Sequence, residues 1–190
     1  LIEEPGTINQ EPYVESTPVY ELGDKIEKLK IPDSARDTLS KLTALNVGVF
    51  ERPFVHQVRA LEEFLTEGRD LIIATGTGSG KTESFLMPII GQLAIESSSR
   101  PECANLPGCR ALLLYPMNAL VNDQVSRIRR LFGNIEASSI ISSGRDRPVR
   151  FGSYTGRTPY PGPQTSNGNN RHIEPLFENY YLPLLLNEGR

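Results

Sequence analysis

Lys81 and Thr82 close a stretch in which glycine falls at every second position, at Gly76, Gly78 and Gly80. The whole segment, Asp70 to Glu83, reads DLIIATGTGSGKTE. Alternating glycines let backbone N–H groups turn inward around oxyanions. The N-terminus of a following helix adds partial positive charge, and a lysine placed there reaches the outer oxygens of a phosphate chain. The Thr82 hydroxyl is suited to a magnesium shell, because that ion takes hard oxygen ligands. Thr75, Gly76, Thr77, Gly78, Ser79, Gly80, Lys81, Thr82 and Glu83 are therefore the candidate nucleotide-binding residues, with Lys81 and Thr82 also the candidates for catalysis and Thr82 for magnesium. The strict phosphate-loop pattern asks for glycine five residues before the Gly-Lys pair, and here that position is Thr75. The alternative reading is an ordinary glycine-rich turn with a solvated lysine.

Elements around the loop must position it. Leu71 to Ala74 is a short apolar run that reads as a buried strand, and Lys81 to Met87 opens a helix that Phe85 to Ile95 continues. Ser97 to Pro107 reads as a polar loop holding Cys103. Ala111 to Tyr115, ALLLY, is a second apolar strand. Strand, helix and strand in that order make a βαβ unit, and hence a parallel sheet with a right-handed crossover. Pro116, Asn118 and Gln124 follow at the strand's C-terminal end, the edge where open α/β sheets bind ligands. The helix running on to Phe132 carries Arg127, Arg129 and Arg130, which read either as a contact surface or as a solvated basic face. Ile135 to Ile141 reads weakly as a third strand. Val149 to Tyr154 reads as another, ending in Tyr154, Thr155, Gly156 and Arg157. Hydroxyl, N–H and guanidinium donors at such a turn can clasp a backbone phosphate, although plain loop chemistry explains Gly156 equally well.

Upstream, residues 1–20 are acidic, rich in Pro, Thr and Glu, and read as an extended arm. Leu22 to Leu29 reads as a short helical turn. Pro32, Asp33 and Ser34 begin a helix whose Leu39, Leu42 and Leu45 share one face, up to about Asn46. A second helix carries Val58, Leu61, Phe64 and Leu65 and closes at Gly68. Gln57, at its start, has an amide that can donate and accept together and so can read an adenine edge. A lone glutamine near a helix start is also a common capping residue. Residues 159–170 are rich in Pro, Gly and Asn, and the apolar run 174–190 reads as core packing.

The chain has 190 residues and a net charge of −3, which alone argues against a nucleic-acid binder. The distribution argues otherwise: residues 1–99 balance to −7, whereas residues 100–190 balance to +4, with every base in that half an arginine. Guanidinium forks match phosphate geometry, so a basic half beside a phosphate loop fits a polyanion partner. Two cysteines, Cys103 and Cys109, make a poor zinc framework and read as reduced thiols of an intracellular, cytoplasmic protein. Apolar runs are too short to cross a bilayer; Leu182 to Leu186 is broken by Pro183. The first residue is Leu, and the chain reads as an excerpt of a longer polypeptide.

Four of these segments together resemble superfamily 2 helicases over about residues 45–160. TGTGSGKTE at 75–83 resembles their first nucleotide-binding motif, and GVFERPFVHQ at 48–57 their adenine-reading segment. YPMNALVNDQ at 115–124 and YTGRTP at 154–159 resemble two strand-gripping motifs. The wording is most similar to large bacterial MrfA-like helicases and to DrmA-like helicases of the DISARM phage-defence system. The resemblance implies an α/β, three-layer RecA-like P-loop domain with a mainly parallel central sheet over residues 46–190, preceded by an extended and helical flank, 1–45. It implies ATP and Mg2+ as cofactors, with Lys81 and Thr82 on the β/γ-phosphates and magnesium, Gln57 on adenine and Phe50 stacking nearby. It implies a nucleic-acid partner, DNA favoured over RNA, held at Pro116, Asn118, Gln124, Tyr154, Thr155, Gly156 and Arg157. A second RecA-like domain of the same chain and protein partners of a defence complex follow from it too.

The family's Asp-Glu box is missing, since no Asp-Glu pair occurs in the sequence. Its arginine finger, worth roughly 10³–10⁵ in rate in phosphate-transfer enzymes, belongs to the second motor domain. The stretch alone is thus expected to bind nucleotide and to be nearly inert in hydrolysis. The alternative is a nucleotide-sensing interaction module without unwinding activity.

Overall fold

The computed structural model describes residues 19–76 and 78–155. They fall into two compact units, one of residues 19–113 with 127–149 and the other of 114–126 with 150–155. Six α-helices run in order: α1 (Asp33–Thr43), α2 (Val55–Leu65), α3 (Lys81–Ser99), α4 (Pro101–Asn105), α5 (Asn118–Phe132) and α6 (Ile135–Ile141). A single 3-10 turn, Ile26–Lys28, precedes them. The arm, 1–18, the loop residue Thr77, and everything from Gly156 on lie outside the described residues.

The first unit is built on α3. Pro32 sets the start of α1, Asp33 complements the helix N-terminus, and Lys41 pairs with Asp37 one turn away at 2.6 Å. Ala35, Leu39 and Leu42 then fall on one buried face, and α1 and α2 both pack on α3. At Gly91 the packing leaves no room for a side chain: a Cβ there would stand 2.6 Å from Leu65 Cδ1 and 3.3 Å from Ala35 Cβ. Ile26, Leu29 and Ile31, ahead of α1, join the same core as Leu61, Met87 and Ile90. Leu131, Ala137 and Ile141 close it from the far end.

Two expectations are corrected. Ile135 to Ile141, read as a strand, is helix α6: the Asn134 side chain caps it by accepting from Ala137 N at 3.0 Å, and Ala137 and Ile141, one turn apart, are the buried pair. Part of the loop expected at 97–107 is helical as well, since Pro101 at the first position starts α4.

The mainly parallel central sheet is not seen. Among the described residues the one bridge is antiparallel, Leu22 to Phe54, and no ladder joins the three apolar segments read as strands. Several of their apolar side chains stand in the open, with Ile72 98% exposed and Leu112 74%, while Ile73, Leu113 and Val149 are half-buried. Apolar runs encode the need for burial on both faces, but strand pairing is a property of neighbours that hydrogen-bond across, and none does so here.

An ionic brace fixes the C-terminal end of α3. Arg145, whose side chain is 5% exposed, donates to Glu96 Oε2 at 2.8 Å, Leu93 O at 2.9 Å and Ala104 O at 2.8 Å. Arg110 Nε takes the other Glu96 oxygen at 2.8 Å. Burial opposes the charge on Glu96, and the hydrogen bonds from Arg145 and Arg110 outweigh it, so its pKa lies below the ordinary carboxylate value. This stabilisation is present above the unfolded carboxylate pKa of about 4.3 and is lost as pH falls through the lower folded value. Arg145→Ala, which leaves Glu96 largely buried with one partner, is expected to cost about 3–5 kcal/mol. Urea denaturation at pH 7 measures that cost. Denaturation repeated below pH 4 should show the difference between variant and wild type shrinking.

Candidate nucleotide site

The phosphate-loop residues lie between the N-terminal turn of α2 and the start of α3. Gly78 and Gly80 hold φ of +77° and +73°, in the left-handed region where a side chain is strained. Gly80 then caps α3, so Lys81 is its first residue and Thr82 and Glu83 lie in its first turn. Gln57 fastens this junction. It is 2% exposed; its Oε1 accepts from Phe54 N at 2.9 Å, and its Nε2 donates to Gly80 O at 2.9 Å. The first contact caps α2 and the second ties α2 to the loop. Ser84 N and Oγ also donate to Gly80 O, each at 3.3 Å.

A second tie lies one residue away on each side. His56 Nε2 donates to Ser79 O at 2.9 Å, which sets the tautomer, since a carbonyl only accepts. Ser79 is buried and exchanges a hydroxyl hydrogen bond with Thr75 at 2.7 Å. Around His56 stands a cluster of rings. Phe54 stacks on it with centroids 5.8 Å apart, and Tyr20 meets it edge-on at 5.5 Å. Tyr20, His56 and Ser84 were not among the residues singled out in the sequence. His56 borders Gln57, and Ser84 recurs four residues after Gly80, but neither pattern is distinctive without the fold.

Lys81 is exposed, and its Nζ donates to Thr75 O at 2.6 Å across the mouth of the loop. The lysine is thus folded back on the loop backbone. Glu83 points elsewhere, pairing with Arg127 of α5 at 3.2 Å. Phe50 is 62% exposed in the segment before α2.

The residues present fit a triphosphate. The two left-handed glycines give the loop the backbone freedom to turn around oxyanions, α3 has nineteen residues to supply its N-terminal field, and the lysine is exposed. The fit to magnesium is narrower. Thr82 offers one hard oxygen, and no group of three or more His, Cys, Asp or Glu gathers among the described residues. A cavity of about 450 Å³ lies beside the loop, lined by residues of α2, including His56 and Arg59, and by the segment from Arg69 to Thr75.

The expected strand-gripping residues belong to the second unit. Pro116 and Asn118 are exposed where the chain enters α5, and Gln124 lies within that helix, where its Nε2 donates to Asp123 Oδ2 at 3.1 Å. Tyr154 is exposed and Thr155 half-buried; Gly156 and Arg157 lie outside the described residues. Among the described residues no helix is long and apolar enough to cross a membrane.

Comparison with known proteins gives a consistent picture. The DEAD/DEAH box helicase family pattern matches residues 54–155, which include Gln57, the whole loop and Tyr154. The chain is 61% identical over 188 residues to the Druantia protein DruE of Escherichia coli, covering 98% of the chain and 10% of that protein. It is 31% identical over 90 residues to the ATP-dependent RNA helicase DBP9 of Candida albicans, covering 47% of the chain and 14% of the relative. It is 41% identical over 71 residues to the ATP-dependent RNA helicase ROK1 of Scheffersomyces stipitis, covering 37% and 12%. The matches therefore span only 10–14% of the length of these relatives. No solved structure matches it.

Gly80 offers the sharpest test of the junction. A Cβ there would sit 2.4 Å from Gln57 Nε2, on a backbone already at φ +73°. Gly80→Ala must break the Gln57 tie or shift α3. ATP affinity measured by calorimetry is expected to fall by more than about tenfold, against a Gly152→Ala control, where a Cβ would meet nothing within 4 Å and the backbone is not left-handed, judged by melting temperature to be folded.

Proposed function

The chain belongs to the DEAD/DEAH box helicase family, and from that premise we propose that it is the ATP-binding part of an ATP-dependent nucleic-acid helicase or translocase. The observation that carries this reading is the lysine at the head of α3, behind two left-handed glycines and braced by Gln57. The family implies a RecA-like fold. In the proposed three-layer domain, residues 46–190, the segments Leu71–Ala74, Ala111–Tyr115 and Val149–Tyr154 pair as a mainly parallel sheet, with residues 1–45 as its flank.

In this reading Lys81 leaves Thr75 O and binds the β/γ-phosphates, where a charge-assisted contact to an oxyanion exceeds one to a neutral carbonyl. Backbone N–H groups from Gly76 through Gly80, Thr77 included, surround the phosphates. Thr82 supplies an oxygen to Mg2+, and Glu83, in the same first turn of α3, pairs with Arg127. Phe50, being exposed, is free to stack on the base. Gln57 reads adenine through the N–H and lone pair that its two backbone contacts leave over. Pro116, Asn118, Gln124, Tyr154, Thr155, Gly156 and Arg157 grip the sugar-phosphate backbone of one strand, a contact that positions without specifying sequence. Water activation and the arginine finger come from a second RecA-like domain and an Asp-Glu box elsewhere in the protein.

We favour DNA as the track and anti-phage defence in the bacterial cytoplasm, with other defence proteins as partners. The support is the sequence's resemblance to large defence helicases, together with the Druantia relative, whose similarity extends over nearly the whole chain. The relatives named as RNA helicases match between 37% and 63% of it, at 27–41% identity. The test is ATP hydrolysis by the intact protein with single-stranded DNA or RNA at two salt concentrations. DNA is expected to stimulate hydrolysis more than RNA, the stimulation is expected to weaken at high salt, and Lys81→Ala is expected to abolish it. A rate indifferent to polynucleotide would favour a nucleotide-sensing module instead.

A further inference from the structure

Tyr20 stands outside the segment that matches the helicase family, 54–155, and beyond every motif of the site. It nevertheless reaches the phosphate loop. Its ring packs on Phe54 and His56, with centroids 5.8 and 5.5 Å away. Its hydroxyl abuts the first glycine of the loop: a Cβ built on Gly76 would come 2.8 Å from it. That hydroxyl is shut off from solvent and has no hydrogen-bond partner among the described residues. A buried donor without an acceptor is unfavourable, so such a group points to an arrangement in which it is satisfied.

The loop itself supplies the other half. Lys81 Nζ now occupies the Thr75 carbonyl at 2.6 Å. That carbonyl belongs to the peptide unit joining Thr75 to Gly76, the residue that the Tyr20 hydroxyl abuts. When a triphosphate draws the ammonium away, the Thr75 carbonyl loses its donor. One arrangement then leaves the Tyr20 hydroxyl without a partner, and the other leaves the carbonyl of the peptide unit beside it without one.

We propose that Tyr20 is a positioning residue for the nucleotide-loaded loop: its hydroxyl donates to the Thr75 carbonyl once Lys81 has left it for the phosphates. The exchange lets the lysine move without stranding a backbone acceptor, and it makes a residue of the N-terminal flank part of the nucleotide site. No covalent step is involved. The inference rests on the phosphate-loop reading above, and its test separates the two.

Tyr20→Phe keeps the ring against Phe54 and His56 and removes only the donor. In the intact protein, calorimetric titration with ATP is expected to give a dissociation constant roughly three- to tenfold weaker than wild type, the loss of one neutral hydrogen bond. The melting temperature without nucleotide is expected to stay level or rise, because the variant removes an unsatisfied buried group. A purely structural tyrosine would lower it. Wild-type ATP affinity in Tyr20→Phe overturns the proposal, and so does weakened affinity accompanied by a lower nucleotide-free melting temperature. Lys81→Ala is titrated alongside. If it loses ATP while Tyr20→Phe does not, the exchange alone fails; if it binds ATP like wild type, the nucleotide reading fails and the exchange with it.

Discussion

The carbonyl of Gly80 is the fixed point of the site. It is the last acceptor before α3, and it takes the Gln57 amide, the Ser84 backbone and the Ser84 hydroxyl together. Because Gln57 also caps α2, the start of α2 and the start of α3 are held by one side chain. Glycine is required at 80 twice over: by its left-handed backbone, and by the 2.4 Å that would separate any Cβ from the Gln57 amide. The interaction is short-range and neutral, so ionic strength should leave it intact, unlike contacts to a polyanion.

What surrounds that point differs in rigidity for identifiable reasons. Behind it, α3 is packed by α1 and α2, and at its far end the buried arginine–glutamate brace satisfies carbonyls of α3 and α4. Ahead of it, Gly76 and Gly78 are exposed, and Thr75 is held by a serine hydroxyl and a lysine that has other uses. The helix is thus the anvil and the loop the adjustable part.

The sequence made some of this legible and hid the rest for physical reasons. Helices α1 and α2 were readable because their apolar residues recur at helical spacing, and α3 because the glycine-rich loop ending at Gly80 opens it. α6 was misread because Ile135, Ile140 and Ile141 favour strands, while the cap from Asn134, which decides the matter, is a single local hydrogen bond. The sheet was inferred from apolar runs, whose burial depends on partners that no local pattern specifies. At the site, the loop announced itself through composition. Gln57 could be placed at a helix start, yet its bond to Gly80, 23 residues away, could not be. Tyr20 carried no signal at all, since it became part of the site only by folding next to Gly76.

The remaining question is how occupancy of the loop could be felt at α5. Glu83 lies in the turn that begins with Lys81, and it reaches Arg127 across 44 residues of sequence. As a partly exposed pair, this bridge contributes at most about 1 kcal/mol, too little to hold two helices together. Its value is geometric. Since Gln57 and His56 immobilise the backbone just before Lys81, the first turn of α3 cannot tilt freely, and a charge on that turn keeps a constant position. On the proposed reading, a change in the lysine's partner alters the field at Glu83 and Arg127. Electrostatic communication of that kind needs the neutral ties to be stronger than the ionic one, and the number of hydrogen bonds converging on Gly80 meets that requirement.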